Sequence, residues 1–321
     1  MIEIRNLRKY FPIKGGFFNK QYGEVKAVEN VSFKIPEGEI LGLVGESGSG
    51  KTTLGRSIIR LIEPSNGKIF YNNKNIIKFK EKEMRELRKD FQIIFQDPFA
   101  SLDPRKKVFD IISQGLKIHT KMNKEEIYEK VKTIIKDVGL QEEHLNRYPH
   151  EFSGGQRQRI GIARALVLDP KFIIADEPVS ALDVTIQAQI LNLILELKEK
   201  YSLTILFISH DLSVINQIAD RVMVMYLGHM VEIASTKKLF SNPRHPYTRS
   251  LIETAPQIFR KDKKKIILKG DIPSPINPPS GCVFRTRCPN PSHDCKHGNI
   301  EMGLIEVSPE HWVDQCCVNC N

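Results

Sequence analysis

The chain has 321 residues, of which 40% are hydrophobic and 27% are charged. This composition is ordinary for a globular protein, and it excludes a low-complexity or fibrous chain. Forty-eight basic against 38 acidic residues give a net charge of +10, which suits nucleic acid, an anionic membrane face or a phosphorylated ligand without choosing among them.

The hydropathy pattern predicts a protein that does not cross a membrane. No apolar stretch reaches the roughly 18 residues that a transmembrane helix needs, and the first five residues lack the layout of a signal peptide. We therefore expect a cytosolic chain whose membrane role, if any, comes through partners. All six cysteines lie beyond residue 280, and a cytosolic setting argues against disulfides there.

A basic run near the C-terminal part of the chain has two interpretations. It consists of Arg260, Lys261, Lys263, Lys264 and Lys265. A solvated linker is the simpler interpretation, and contact with a membrane surface is the alternative.

The first elements in chain order are strands. Apolar and polar residues alternate around Ile2, Ile4, Val28, Val31, Phe33 and Ile35, which predicts antiparallel strands. A continuous apolar run at residues 40–44 predicts a buried parallel strand. A glycine-rich turn and a helix from about residue 52 to residue 61 follow it.

The middle of the chain predicts an α/β core with a helical insert. Residues from about 80 to 165 carry helical periodicity and many charges. Two apolar runs at 172–176 and 203–208 predict buried strands, and the residues between them repeat at helical spacing. Strand, helix and strand in this order indicate a parallel sheet. Prolines then cluster, so residues 1–235 form the main domain and 236–321 an irregular extension.

Residues 45–52 match the P-loop pattern between a predicted strand and a predicted helix. They are Gly45, Glu46, Ser47, Gly48, Ser49, Gly50, Lys51 and Thr52. The glycines let backbone amides converge on phosphates, and the helix adds the positive end of its dipole. Lys51 should reach the β- and γ-phosphates, and the Thr52 hydroxyl should bind Mg²⁺. A glycine-rich turn without a ligand is the plain alternative.

A carboxylate at the end of a later strand supports the phosphate site. Asp176 closes the apolar run at 172–176, where an acidic residue can hold the Mg²⁺ shell. Together with the P-loop, it predicts a nucleoside triphosphatase.

Residues 152–159 (Phe-Ser-Gly-Gly-Gln-Arg-Gln-Arg) resemble the signature segment of ABC-type ATPases, with phenylalanine where leucine is commoner. On its own, Ser-Gly-Gly-Gln is also an ordinary N-capped helix start. Its position before Asp176 favours the ABC family. The resemblance implies an ABC-type P-loop fold with a parallel-sheet core, an N-terminal antiparallel β subdomain and a helical subdomain.

The resemblance also assigns roles to individual residues. It implies a general base at Glu177, a γ-phosphate and metal sensor at Gln96, and a switch histidine at His210. Asp183 lies in the D-loop, and Phe11 is the residue that stacks on adenine, with Tyr10 as its rival. Thr53 joins the P-loop residues in ATP binding, and Mg²⁺ falls to Thr52, Gln96 and Asp176. The signature and D-loop contacts to the nucleotide of the opposite subunit are Ser153, Gly154, Gly155, Gln156 and Asp183.

Two later segments point to a branch of the family. Residues 241–248 and 273–282 resemble the C-terminal extension of oligopeptide, dipeptide and nickel importer ATPases. The resemblance implies a peripheral subunit at the cytoplasmic face of the cell membrane that powers peptide import. It would work with two permease subunits, a paralogous ATPase or a second copy of itself, and indirectly with an extracellular solute-binding protein. The transported solute stays open.

The cysteines resemble the four-cysteine iron–sulfur site of this branch. Cys282, Cys288, Cys295 and Cys316 would hold a [4Fe–4S] cluster, with Zn²⁺ as the alternative, because both prefer tetrahedral sulfur. Cys317 is adjacent to Cys316 and could replace it, the role of Cys320 is open, and cysteines without a ligand are a third interpretation.

The sequence disfavours two alternative functions. An ABC ATPase acting on DNA or ribosomes would suit the positive charge, but the chain has one cassette and no sustained heptads, so nucleic acid is not expected. A metal-binding regulator with a vestigial P-loop is disfavoured by the complete set of catalytic residues.

Overall fold

The computed structural model describes residues 1–15, 20–254 and 270–317. The basic run at 260–265 and Cys320 lie outside these residues. The chain forms two compact units. The first comprises Met1–Ile35, Ile40–Ile77 and Ser209–Asn321, and the second comprises Pro36–Glu39 and Lys78–Ile208.

The strands are β1 (Ile2–Gly15), β2 (Lys20–Ile35), β3 (Ile40–Val44), β4 (Asn66–Tyr71), β5 (Lys74–Asn75), β6 (Phe91–Ile94), β7 (Phe172–Asp176), β8 (Thr204–Ser209), β9 (Arg221–Tyr226), β10 (His229–Ser235), β11 (Leu304–Ser308) and β12 (His311–Asp314). The α-helices are α1 (Lys51–Ile58), α2 (Glu81–Leu87), α3 (Pro98–Ser101), α4 (Val108–His119), α5 (Lys124–Asp137), α6 (Gly154–Leu166), α7 (Val184–Tyr201), α8 (Leu212–Ile218), α9 (Thr236–Ser241), α10 (Pro246–Thr254) and α11 (His293–His297).

The first unit contains an antiparallel N-terminal sheet in the order β2-β1-β4-β5. Ile4 pairs with Phe33 on one side and with Ile69 on the other. All three side chains are buried, as the alternation of apolar and polar residues requires. The predicted antiparallel strands at the start of the chain are therefore confirmed.

A second group of strands in this unit carries the glycine-rich loop. They lie in the order β11-β12-β10-β9-β3. β3 pairs with β9 in parallel, whereas the neighbours from β9 to β11 are antiparallel. All five residues of β3 are buried, which explains its uninterrupted apolar sequence.

The second unit is built on three parallel strands in the order β8-β7-β6. Ile174 of β7 lies between Ile93 of β6 and Leu206 of β8. The segment predicted to be mainly helical contains α2 to α5 and most of α6, but also β6. That strand is only four residues long between charged helical segments, so its apolar run is too short to stand out in the sequence.

Within the first unit, a buried carboxylate of β10 holds the C-terminal extension in place. Trp312 of β12 pairs with Ile233 of β10. The neighbouring Glu232 is fully buried and accepts hydrogen bonds from the amides of Arg244 and His245 at 2.8 and 3.0 Å. His311 Nε2 lies 2.7 Å from Glu232 Oε1. Burial alone would raise the pKa of Glu232, but its hydrogen bonds outweigh burial and lower that pKa.

None of the helices within the described residues combines the length and the hydropathy needed to span a bilayer.

We predict that Glu232→Gln lowers the free energy of unfolding by about 3 kcal/mol, because a buried ionic hydrogen-bond network loses its charged acceptor. Denaturant unfolding followed by circular dichroism measures the change. Glu37→Gln, at an exposed position, is the matched control. Equal midpoints for the two variants would show that Glu232 does not fasten the extension.

Candidate active site

The glycine-rich loop joins β3 to α1, and two of its glycines touch neighbouring backbone. A Cβ on Gly45 would lie 2.1 Å from the carbonyl oxygen of Met225, and one on Gly50 would lie 2.0 Å from that of Ala27. Gly50 also has a φ of 102°. Both positions exclude any side chain, so β2 and β9 fix the path of the loop.

Lys51 follows this loop as the first residue of α1, and its side chain turns back over the loop. Its ammonium Nζ donates to the carbonyl oxygens of Gly45 at 2.7 Å and Glu46 at 2.9 Å. The side chain is 5% exposed. An ammonium group held over a glycine-rich loop at a helix start is a favourable site for an anion.

The rest of the loop presents its tip to solvent. Ser47 and Gly48 are exposed, Ser49 is buried, and Thr52 and Thr53 are half-buried in the first turn of α1. The N–H groups of that turn have no helical partner, and the helix dipole makes them attractive to phosphate. The loop can therefore accept a polyphosphate through backbone amides.

In the second unit, the end of β7 carries two adjacent carboxylates in different environments. Asp176 is 1% exposed. Glu177 has a φ of 47°, a region that residues other than glycine seldom occupy. Its N–H donates to the Ile208 carbonyl at 3.0 Å, which helps to hold this conformation. Gln96 Nε2 donates to Glu177 Oε2 at 3.0 Å, so Gln96 and Glu177 form one polar pair.

The predicted signature segment forms the start of α6. Ser153 is the N-cap, and its side chain accepts from the Gln156 amide while Gln156 Oε1 accepts from the Ser153 amide at 3.1 Å. A Cβ on Gly155 would lie 2.5 Å from Ile186 Cγ2 of α7. Gly154 has more room, with Leu182 at 3.5 Å. Gly155 therefore packs too closely against α7 to carry a side chain, and the unusual Phe152 is buried beside the ring of His144.

Two further loop residues lie at helix starts. Asp183 caps α7, and its Oδ1 accepts from the Ile186 amide at 3.0 Å. His210 is exposed directly after β8. The backbone on its C-terminal side is fixed because the Asp211 amide donates to Ser209 Oγ and Asp211 caps α8.

The two candidate adenine-stacking residues differ in their partners. The Tyr10 hydroxyl donates to Glu29 Oε2 at 2.6 Å, and burial followed by this hydrogen bond raises the pKa of Tyr10 to about 12. Phe11 is 37% exposed, with Lys9 Nζ 4.9 Å from its ring centroid. Phe11 therefore offers the more accessible ring.

The structure brings together part of the predicted cysteine set. Cys316 Sγ lies 3.3 Å from Cys282 Sγ and 3.4 Å from Cys317 Sγ. The hydrogen bond with Cys316 and burial raise the pKa of Cys282. Burial raises the pKa of Cys288, and the nearby Cys282 and Cys295 add to this effect.

A histidine that the sequence did not single out adjoins these thiols. One ring nitrogen of His245 and the sulfurs of Cys316 and Cys317 all lie within 4.8 Å of one another. His245 Nδ1 accepts from the Tyr247 amide at 3.1 Å. Thiolates and imidazoles are ligands for zinc and for iron–sulfur centres, so the donor set fits a soft metal or cluster.

Two contacts to the glycine-rich loop were not predicted from the sequence. Arg287 pairs with the Glu46 carboxylate, and the Tyr247 hydroxyl accepts from the Glu46 amide. Tyr247 lies in a segment that resembles the importer extension, but neither residue carries a local signal of contact with residue 46.

These features define a P-loop nucleotide-binding protein. The chain matches the family described as "ABC transporter" over residues 28–180 and the "Oligopeptide/dipeptide transporter, C-terminal region" over residues 231–295. It is 51% identical to the oligopeptide transport ATP-binding protein AppF of Bacillus subtilis, with 98% of this chain and 96% of that protein covered. It is 50% identical to OppF of Salmonella typhimurium, an oligopeptide transport ATP-binding protein, with 92% and 90% covered.

Solved structures agree with this assignment. A dimeric post-hydrolysis structure of the ATP-binding cassette MJ0796 with ADP and Pi superimposes with a TM-score of 0.65 at 28% identity, covering 74% of this chain and 99% of that one. The structure of cbiO1 from Clostridium perfringens, described as part of the ABC transporter complex cbiONQ, superimposes with a TM-score of 0.64 at 29% identity, covering 75% of this chain and 90% of that one. The chain belongs to the ABC transporter family of ATP-binding proteins.

The contacts of the loop glycines predict unequal effects of alanine. Gly50→Ala should lower the free energy of unfolding by about 2 kcal/mol or more beyond Gly48→Ala, because its methyl group meets a carbonyl oxygen. Gly48 has a φ of 78° with nothing within 4 Å of a Cβ, so alanine there costs only about 1 kcal/mol of backbone strain. Unfolding without nucleotide measures both variants. Equal losses would contradict the close approach at Gly50.

Proposed function

We propose that this chain is the ATP-hydrolysing subunit of an ABC importer of di- and oligopeptides. The observation that carries the proposal is the glycine-rich loop with Lys51 held above it, in a chain that also matches the oligopeptide/dipeptide transporter C-terminal region. The relatives named as oligopeptide transport proteins support peptides as the solute.

The chain's own residues suffice to bind the nucleotide. Lys51 binds the β- and γ-phosphates from its position over the loop, and the amides from Gly45 to Thr53 surround the phosphate chain. Phe11 stacks on the adenine ring, an interaction that distinguishes ATP poorly from GTP because it reads no base edge.

Mg²⁺ is the cofactor of this reaction. When bound, it neutralises charge on the β- and γ-phosphates. Thr52, Gln96 and Asp176 would hold it through hydroxyl, amide and carboxylate oxygens, which are the donors that Mg²⁺ prefers.

Hydrolysis needs a base for the attacking water, and we assign that role to Glu177. A water oxygen forms a bond to the γ-phosphorus while the bond from that phosphorus to the bridging oxygen of ADP breaks. Glu177 accepts the proton from the water, and the hydrogen bond from Gln96 Nε2 orients its carboxylate. His210 contacts the γ-phosphate.

Two cassettes act together in this proposal. Ser153, Gly154, Gly155, Gln156 and Asp183 of one subunit contact the nucleotide bound to the other, so the γ-phosphate joins the two. Hydrolysis removes this link and the dimer opens. The second cassette is either a paralogous ATPase or another copy of this chain.

The remaining partners follow from the importer assignment. Gln96 and the segment after it pass the motion to two permease subunits, with the ATPase bound at the cytoplasmic face of the membrane. An extracellular solute-binding protein delivers the peptide. Stimulation of ATP hydrolysis by the permease in lipid, and not by DNA or ribosomes, separates this function from action on nucleic acid.

We predict that Glu177→Gln retains MgATP binding and lowers the ATP hydrolysis rate at least about a hundredfold, the scale of general-base catalysis. Phosphate release and binding of a fluorescent ATP analogue measure the two properties. Glu196→Gln, an exposed carboxylate on α7, should hydrolyse ATP normally. Wild-type turnover by Glu177→Gln would remove Glu177 from the role of base.

We propose that a [4Fe–4S] cluster is bound by a group of cysteines, here called the cysteine cluster, that consists of Cys282, Cys288, Cys295 and either Cys316 or Cys317. Zn²⁺ is the alternative. The 3.3 Å approach of Cys282 and Cys316 supports a shared soft-metal site. The bound group would cross-link the extension and so stabilise it.

We predict about four iron and four sulfide per chain in anaerobically purified protein, and loss of both in Cys288→Ser. One zinc per chain without sulfide would establish the alternative. Retention of the full iron content by Cys288→Ser would exclude that cysteine as a ligand.

A further inference from the structure

Glu46 places a negatively charged side chain within the loop that we propose binds the negatively charged triphosphate. Glu46 follows the first glycine of the P-loop, and its side chain is 28% exposed. Like charges repel strongly in a partly buried setting, so an uncompensated carboxylate here would oppose binding of a triphosphate. The negative charge of Glu46 is compensated by an arginine of the C-terminal extension.

Arg287 makes two parallel hydrogen bonds to this carboxylate. Its two terminal nitrogens lie 2.7 and 3.1 Å from Glu46 Oε2 and Oε1, and its side chain is 8% exposed. Such bidentate pairs are strong and fix the orientation of both planes. The hydrogen bond with Glu46 outweighs burial and raises the pKa of Arg287.

Tyr247 holds the backbone of the same residue. Its hydroxyl accepts from the Glu46 amide at 2.7 Å. The ring is fully buried and packs edge-on against Tyr226 of β9 with centroids 4.8 Å apart, and against Phe284 at 5.6 Å. This aromatic cluster leaves the hydroxyl little freedom to move.

Glu46 therefore links the extension to the phosphate-binding lysine. Its carboxylate binds Arg287, its N–H binds Tyr247, and its carbonyl oxygen accepts from Lys51 Nζ at 2.9 Å. A shift of Glu46 would move the carbonyl that positions Lys51 and release a negative charge beside the phosphates.

We propose that Arg287 and Tyr247 are positioning residues through which the C-terminal extension sets the affinity of the P-loop for MgATP. This inference rests on the proposed function and adds a regulatory role for the extension. Arg287 directly precedes Cys288, so a change at the cysteine cluster reaches the nucleotide site through one peptide bond and one ion pair.

The test measures the dissociation constant for MgATP in the full chain carrying Glu177→Gln, so that hydrolysis does not interfere. Arg287→Gln should raise this constant about tenfold, the value of one lost charge-assisted pair. Tyr247→Phe keeps the ring and should raise it about fivefold. Arg287→Lys keeps the charge and should recover part of the loss.

Arg285→Gln is the matched control for damage to the extension. Arg285 donates to the Lys296 carbonyl and to Ser280 Oγ. It should leave the dissociation constant for MgATP within about twofold of the unsubstituted protein. Melting temperatures of all variants report any general loss of folding.

The double variant Glu46→Gln with Arg287→Gln separates positioning from bulk structure. Removing the uncompensated carboxylate should restore affinity relative to Arg287→Gln alone, whereas two independent structural losses would add. The inference is overturned if Arg287→Gln binds MgATP as tightly as Arg285→Gln, or if the double variant binds MgATP more weakly than Arg287→Gln alone. If the parent protein itself fails to bind MgATP, the proposed function fails instead.

Discussion

The nucleotide site depends on the close approach of backbone to backbone at the ends of the P-loop. Gly45 and Gly50 leave no space for a Cβ beneath the carbonyls of Met225 and Ala27. These contacts fix the loop against β9 and β2, so its amides and Lys51 are arranged before a ligand arrives. Preorganised donors need no rearrangement when charge arrives, and this is why such a loop can both bind and stabilise a transferring phosphoryl group.

The two carboxylates at the end of β7, Asp176 and Glu177, depend on a different feature, a strained backbone conformation. Glu177 occupies a left-handed backbone conformation that costs about 1 kcal/mol or more, and its hydrogen bonds to Ile208 and Gln96 maintain it. Asp176 is buried whereas Glu177 is half-buried, a difference that supports the proposed assignment of Asp176 to Mg²⁺ and of Glu177 to the attacking water.

Local features of the fold could be predicted because they are encoded locally. The P-loop, the capped helix start at Ser153, and the buried strands at β3 and β7 each depend on residues close in sequence. β6 was missed because it has only four residues, three of them apolar, which is too few to show a periodicity. The contacts of Glu46 could not be foreseen, since Arg287 lies 241 residues away, and His245 approaches the cysteines only through packing of the extension. Long-range partners of this kind depend on tertiary structure that one sequence does not display.

The C-terminal extension therefore contacts the P-loop, and its sequence does not predict this contact. Glu232 of β10 accepts hydrogen bonds from backbone amides of the extension. The rings of Tyr247 and Phe284 in the extension pack against Tyr226 of β9, next to the P-loop. A segment that follows the cassette in sequence therefore contributes to the packing around the phosphate-binding loop.

The most direct measurement of the central claim is the molar mass of Glu177→Gln in solution, by light scattering, alone and with a paralogous importer ATPase. If the γ-phosphate joins two cassettes, MgATP should double the mass while MgADP leaves a monomer. A monomer in saturating MgATP under both conditions would contradict the account.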